Sequence, residues 1–332
     1  MFGLLRLLLA SGVMLSHLDV KIAGFNPGVG SVVVFFILSG RVTTQLVENN
    51  NGVAHLYYVE RFLRLYPAYI VVLVISAIIW YICHVDSVFL SRAPTTYDWF
   101  ANITIIPLDF NTWRSQAYFV LIPPAWSLGL EIQFYVLAPW ALRLESSAFA
   151  KIVLLSTAIW CVAQVNMIDT DNWGYRFLPG TLFMFLSGAL IHQRRHGLLA
   201  IVWTIALLTL VGEFCGFVAV RNFNVETSLA FAIGIPLVMA LSLLPRKAWD
   251  EFLGGLSYPL FLIHFPVIWL FRAEGLGLAP ANDYWMLGLL LGVALGASAA
   301  VHLVAERPLM KLRYALRERP IVFGKLGGGV IR

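Results

Sequence analysis

Eleven positions separate Arg6 from His17 in an otherwise apolar opening stretch. At 3.6 residues per turn the two share one helix face, about 16 Å apart along the axis. An imidazole suits general-base work at neutral pH, and a guanidinium suits an anionic group. A snorkelling arginine and a packed histidine would look the same. Arg61 and Arg64 stand one turn apart before Pro67. Paired guanidinium forks recognise phosphates, those of coenzyme A among them, although topological charge or lipid headgroups would use the same pair. Ser127, Glu131 and Tyr135 recur at i, i+4 and i+8, a polar stripe on an apolar helix. Glu131 falls at a depth like that of His17. A carboxylate there orients an imidazole, binds an acceptor hydroxyl, or pairs with an arginine for structure.

Other polar residues are less specific. His264 sits in the middle of an apolar run and either lines a cavity or bonds to a helix carbonyl. Glu306 closes the last apolar run and is expected to pair with Arg6 or with the Arg61/Arg64 cluster. Ser39-Gly40 reads as a close-packing motif. His55, His84, His192, His196 and His302 have no polar partner at helical spacing and read as interfacial or structural. Cys83, Cys161 and Cys215 are far apart, so no metal site and no disulfide framework is expected.

These residues need elements to position them, and composition says which. Of 332 residues, 60% are hydrophobic and 12% charged. A soluble domain carries about 25% charged residues, so the solvent that accepts this surface is lipid. The net charge of +5 does not point to nucleic acid, because the basic residues lie between apolar runs. The expected architecture is an all-α polytopic membrane bundle of about ten transmembrane helices. The spans are 2–18, 28–46, 68–85, 124–142, 149–168, 177–192, 198–220, 227–244, 256–271 and 284–305. The first is read as a retained helix rather than a cleaved signal.

Most of the 23 lysines and arginines then fall on one side, among them Arg61, Arg64, Arg143, Lys151, Arg194, Arg195, Arg246, Lys247 and the tail from Arg307. Lys21, Arg92, Arg114, Arg176, Arg221 and Arg272 fall on the other. The positive-inside rule makes the first side cytoplasmic, with both termini on it. The stretch 97–121 lies on the outer surface or re-enters the membrane, and 321–332 is expected to be a flexible tail after a single domain over 1–320.

Taken in order, the clusters resemble the acyltransferase 3 family. The resemblance rests on Arg6 and His17, on Phe35-Phe36-Ile37-Leu38-Ser39-Gly40, on Arg61, Arg64 and Pro67, on Trp126 to Tyr135, on Leu256 to Pro266, and on Glu306-Arg307-Pro308. Arg41, Glu60 and Pro259 depart from the pattern. The resemblance implies an enzyme of the cell (inner) membrane. It would move an acyl group, often acetyl, from cytoplasmic acyl-coenzyme A to a hydroxyl of a sugar, a cell-surface or secreted glycan, or a macrolide. The acyl-coenzyme A would be a substrate, with no permanently bound cofactor. His17, Glu131, Arg6 and Glu306 would be catalytic, Arg61 and Arg64 would hold the donor, and Ser127, Tyr135 and His264 would meet substrate. No hydrolase-like domain follows in this sequence, so transfer is expected to end within the membrane unit or to involve a separate protein. The alternative is a transporter or flippase of a glycan or lipid-linked sugar, a class that often shows inverted repeats; none is evident here.

Overall fold

Apolar runs of this length leave the backbone one economical solution in lipid, the helix, which satisfies its own N–H and C=O groups. The computed structural model describes residues 2–50, 54–111, 119–245, 247–273 and 283–309, and these are helical with only isolated β-bridges. The order is α1 (Gly3–Ser16), α2 (Pro27–Asn49), α3 (Ala54–Cys83), α4 (Thr96–Thr104), a 3-10 turn (Ile106–Phe110), α5 (Ala125–Ala141) and α6 (Ser146–Gln164). A π-helical turn (Asn172–Arg176) leads into α7 (Leu178–His192), followed by α8 (His196–Phe214), α9 (Asn224–Ser242), α10 (Ala248–Ala273) and α11 (Tyr284–Val301). A second π-helical turn (His302–Glu306) closes α11. The chain is thus an all-α polytopic membrane bundle. Among the described residues, eight helices are long and apolar enough to cross a bilayer. The other two expected spans are α1, of 14 residues, and α5, of 17. Arg114, Arg246, the basic residues from Lys311 onward and the expected tail lie outside the described residues.

One expected boundary needs correction. The third helix does not begin after Pro67: it starts at Ala54 and runs through the proline for 30 residues. Proline removes one N–H donor, and the helix continues where packing and neighbouring groups absorb that loss. Arg61 and Arg64 are therefore side chains of a helix, not of a loop. For the stretch 97–121, expected on the outer surface or re-entering the membrane, the described part packs against the bundle. Tyr69 Oη donates to the Asn102 carbonyl at 2.6 Å and Tyr66 Oη to that of Thr104 at 3.4 Å, which sets α4 against the middle of α3. Gly129 of α5 lies against the Ile105 and Ile106 carbonyls.

The core gathers around α2, which packs against α1, α7 and α9. Glycine makes the α2–α7 approach possible. A methyl group on Gly40 would fall 1.7 Å from the Phe185 carbonyl oxygen, and one on Gly188 would fall 2.0 Å from that of Ile37. Small residues let helices in lipid approach backbone to backbone, where van der Waals contact drives association. Asn26 starts α2 by accepting from Gly28 N at 2.9 Å and Val29 N at 3.3 Å, with Pro27 in the first turn.

Candidate active site

The bundle holds a cavity of about 800 Å³. It opens where α1, α3 and α10 begin and where α2, α9 and α11 end. Arg6, Arg41, Arg61 and Arg64 line it, together with Glu131 and Tyr135 of α5 and Arg307 beyond α11. The volume lies within the range of about 300–1,000 Å³ usual for small-molecule sites.

At its inner wall the cations are tied into a polar lattice. Arg61 is buried, donates from Nη1 to Tyr135 Oη at 3.5 Å and lies 5.2 Å from the centroid of that ring. Glu131 Oε1 accepts from Ser39 Oγ and from Tyr135 Oη, both at 2.5 Å. Charge-assisted bonds of this length are strong and fix geometry. Arg6 lines the same cavity as Arg61, Arg64, Glu131 and Tyr135. Arg64 pairs with Glu306 and stacks 4.9 Å above the Tyr258 ring. Glu306 Oε2 also meets His302 Nδ1 at 2.7 Å.

His17 and His264 occupy a different place. Their rings stack 5.5 Å apart at 16°, and His17 also packs against Phe265 at 4.7 Å. His264 is fully buried, and its Nδ1 lies 3.2 Å from the Leu260 carbonyl. Neither histidine lines the cavity, whose furthest point on α1 is Arg6. The imidazole of His17 is about 16 Å further along the same helix.

The structure thus brings Arg6, Arg61, Arg64, Glu131 and Tyr135 to one cavity and pairs His17 with His264. It does not bring Glu131 to the imidazole. Ser127 stands apart: it is buried and donates to the Pro124 carbonyl at 3.0 Å, so the expected stripe reaches the cavity only through its last two members. Of the two pairings expected for Glu306, Arg64 is the one formed. His302 was read as lacking a polar partner; it has Glu306, four residues on. The i, i+4 spacing was visible in the sequence and is the signal that would have found it. Asp250 was not singled out at all. Its carboxylate accepts from Phe2 N at 3.0 Å, Gly3 N at 3.0 Å and Leu4 N at 2.9 Å, capping α1 from the first turn of α10. A contact between residues 247 positions apart leaves no local pattern to read.

Comparison with known proteins adds to this geometry. Residues 2–302 match the acyltransferase 3 family model, described as an acyltransferase domain. The chain is 32% identical over 210 residues to an uncharacterized protein of Aquifex aeolicus, covering 59% of this chain and 90% of that one. It is 25% identical over 343 aligned positions to acyltransferase MdmB of Streptomyces mycarofaciens, covering 88% and 82%. It is 24% identical over 305 positions to peptidoglycan O-acetyltransferase OatA of Listeria monocytogenes, covering 80% of this chain and 49% of that one, so it spans about half of that relative's length. No solved structure matches.

Proposed function

The chain belongs to the acyltransferase 3 family, and from that premise we propose that this membrane O-acyltransferase takes its acyl group, acetyl in the simplest case, from acyl-coenzyme A on the cytoplasmic side of the inner membrane. The acceptor is a hydroxyl of a sugar or of a cell-surface or secreted glycan. One observation carries the donor half of this reading: arginines from three helices converge on one cavity of about 800 Å³. Guanidinium forks suit the phosphates of a nucleotide head. The separation of about 16 Å between Arg6 and His17 also fits. A donor held by its phosphates and reacting at an imidazole so far away must carry its thioester on a long arm, as coenzyme A does.

In the transfer, His17 accepts the proton of the acceptor hydroxyl as the oxygen bonds to the thioester carbonyl carbon. The C–S bond breaks, and the thiolate leaves and takes a proton. In a two-step form His17 nitrogen first takes the acyl group from sulfur and then yields it to the hydroxyl oxygen. His264 stacks on the imidazole and holds its ring plane. Ser39 and Tyr135 hold Glu131 in the cavity lining, and Arg61 in turn donates to Tyr135. Peptidoglycan O-acetyltransferase OatA, by its name, acts on a glycan, which supports a glycan acceptor here.

The experiment is a transfer assay with labelled acetyl-coenzyme A in membranes that contain the full chain. A positioned general base contributes about 10²- to 10⁴-fold. His17→Ala, inserted at wild-type level, is expected to lose at least that lower factor. Near-normal product would reject the assignment.

A further inference from the structure

A second polar cluster lies near the imidazole and shares no residue with the cavity lining. Arg176, at the end of the first π-helical turn, has its guanidinium 4.4 Å from the centroid of Trp126 and 5.6 Å from that of Tyr175. Those two rings meet edge to face at 5.0 Å. Arg176 Nε donates to Asp171 Oδ2 at 2.9 Å. The stacking and this one bond hold the fork flat, while its two Nη groups donate to no described residue. Asp109, from the 3-10 turn, is 1% exposed. Gln133 Nε2 donates to its Oδ2 at 2.8 Å, but its Oδ1 accepts nothing among the described residues. A buried carboxylate oxygen without a donor is expensive and calls for a reason. Phe110 and Phe177, the chain neighbours of Asp109 and Arg176, pack ring to ring at 5.6 Å and bring the 3-10 turn and the π-helical turn together; the charge of Arg176 acts on both Asp109 and His17.

A sugar hydroxyl needs both kinds of partner. Its oxygen accepts from a donor such as a guanidinium Nη, and its proton goes to an acceptor such as a carboxylate oxygen. We propose that Arg176 and Asp109 form the acceptor subsite of this enzyme, built for a neutral sugar hydroxyl, with Trp126 as the positioning residue that keeps the Arg176 fork in plane. Charge decides for a neutral ligand. The single positive charge of Arg176 is already matched by Asp171, and Asp109 adds none in either protonation state. A carboxylated or phosphorylated sugar would find no net cation here. The subsite rests on the acyltransferase reading above and deepens it: it places the acceptor at the imidazole, away from the donor cavity.

The test uses membranes containing the full chain, labelled acetyl-coenzyme A, and the neutral and acidic glycan fractions of the envelope of cells that express it. Wild-type protein should label the neutral fraction. Arg176→Lys keeps the charge and loses the fork, and should raise the acceptor KM about tenfold while the KM for acetyl-coenzyme A stays within about twofold, since a hydrogen bond to a charged group is worth about one decade or more in affinity. Asp171→Asn frees the charge of Arg176 and should shift labelling toward the acidic fraction. A purely structural role would not produce that shift. If the two KM values rise together in Arg176→Lys, if the acceptor KM stays unchanged, or if Asp171→Asn leaves the neutral-to-acidic ratio where it was, the subsite is wrong and the acyltransferase reading stands. If wild-type protein labels neither fraction, the glycan-acceptor reading falls, and the subsite with it.

Discussion

Asp250 offers the sharpest handle on how α1 is held. Three backbone N–H groups of the first turn of α1 point at its two carboxylate oxygens, at 2.9 to 3.0 Å. Helix N-termini leave these donors without intrahelical partners, and a carboxylate both accepts their bonds and meets the positive end of the helix dipole. Losing a side-chain cap costs about 1 kcal/mol, and losing the charge at a partly buried helix end adds about 1 to 2 kcal/mol. Asp250→Asn keeps the shape but turns an NH₂ group toward backbone N–H groups, so about 2 kcal/mol of local stability should go. One decade corresponds to about 1.4 kcal/mol, so amide exchange over residues 2–9 should speed up by about 10- to 100-fold. Hydrogen exchange read by mass spectrometry on the purified full chain in detergent measures this, with peptides from α7 and α9 as internal references. Exchange at the wild-type rate in the first-helix peptide would refute the reasoning. So would a uniform rise in every peptide, which would mean that Asp250 supports the whole bundle rather than the start of α1.

Two further outcomes follow from the same geometry. Glu306 joins Arg64 to His302, so Arg64→Ala, Glu306→Gln and the double variant should show a coupling energy of about 1 to 3 kcal/mol in denaturant unfolding; coupling below about 0.5 kcal/mol would mean that the pair is not an energetic unit. Gly40→Ala forces its methyl against the Phe185 carbonyl, and such overpacking should cost about 1 to 3 kcal/mol in the same assay, whereas unchanged stability would show that α2 and α7 separate freely.

The parts of the fold and site that were legible in the sequence share one feature: their partners lie within two or three helical turns. Arg61 and Arg64 are one turn apart, and both reach the cavity. Glu131 and Tyr135 are an i, i+4 pair, and they bond. What was not legible depends on other segments. Nothing near Glu131 says that Ser39 will meet it from α2, and nothing near His17 says that His264 will stack on it. Pro67 was read as a helix boundary because an isolated proline usually is one; inside a packed membrane bundle the cost of its missing donor is absorbed, and the helix starts a dozen residues earlier. The packing of α4 against the bundle depends on Tyr66 and Tyr69 reaching backbone carbonyls, which no local periodicity records.

The shortness of α1 connects these features. Fourteen residues span about 21 Å, less than the hydrocarbon core of about 30 Å. A helix that short cannot place both ends in water, so its end groups need partners within the protein. The first end has Asp250. The other turns through Asp19 in the left-handed region, φ 58°, with Val20 N donating to the Leu15 carbonyl at 3.1 Å. Between the two ends α1 and α10 run side by side in one register. Gly3 meets Asp250 and His17 meets His264 at the same separation of 247 positions. A helix fixed at both ends against one neighbour cannot slide without losing either the cap or the histidine stack. That constraint sets the separation between the arginine-lined cavity and the imidazole.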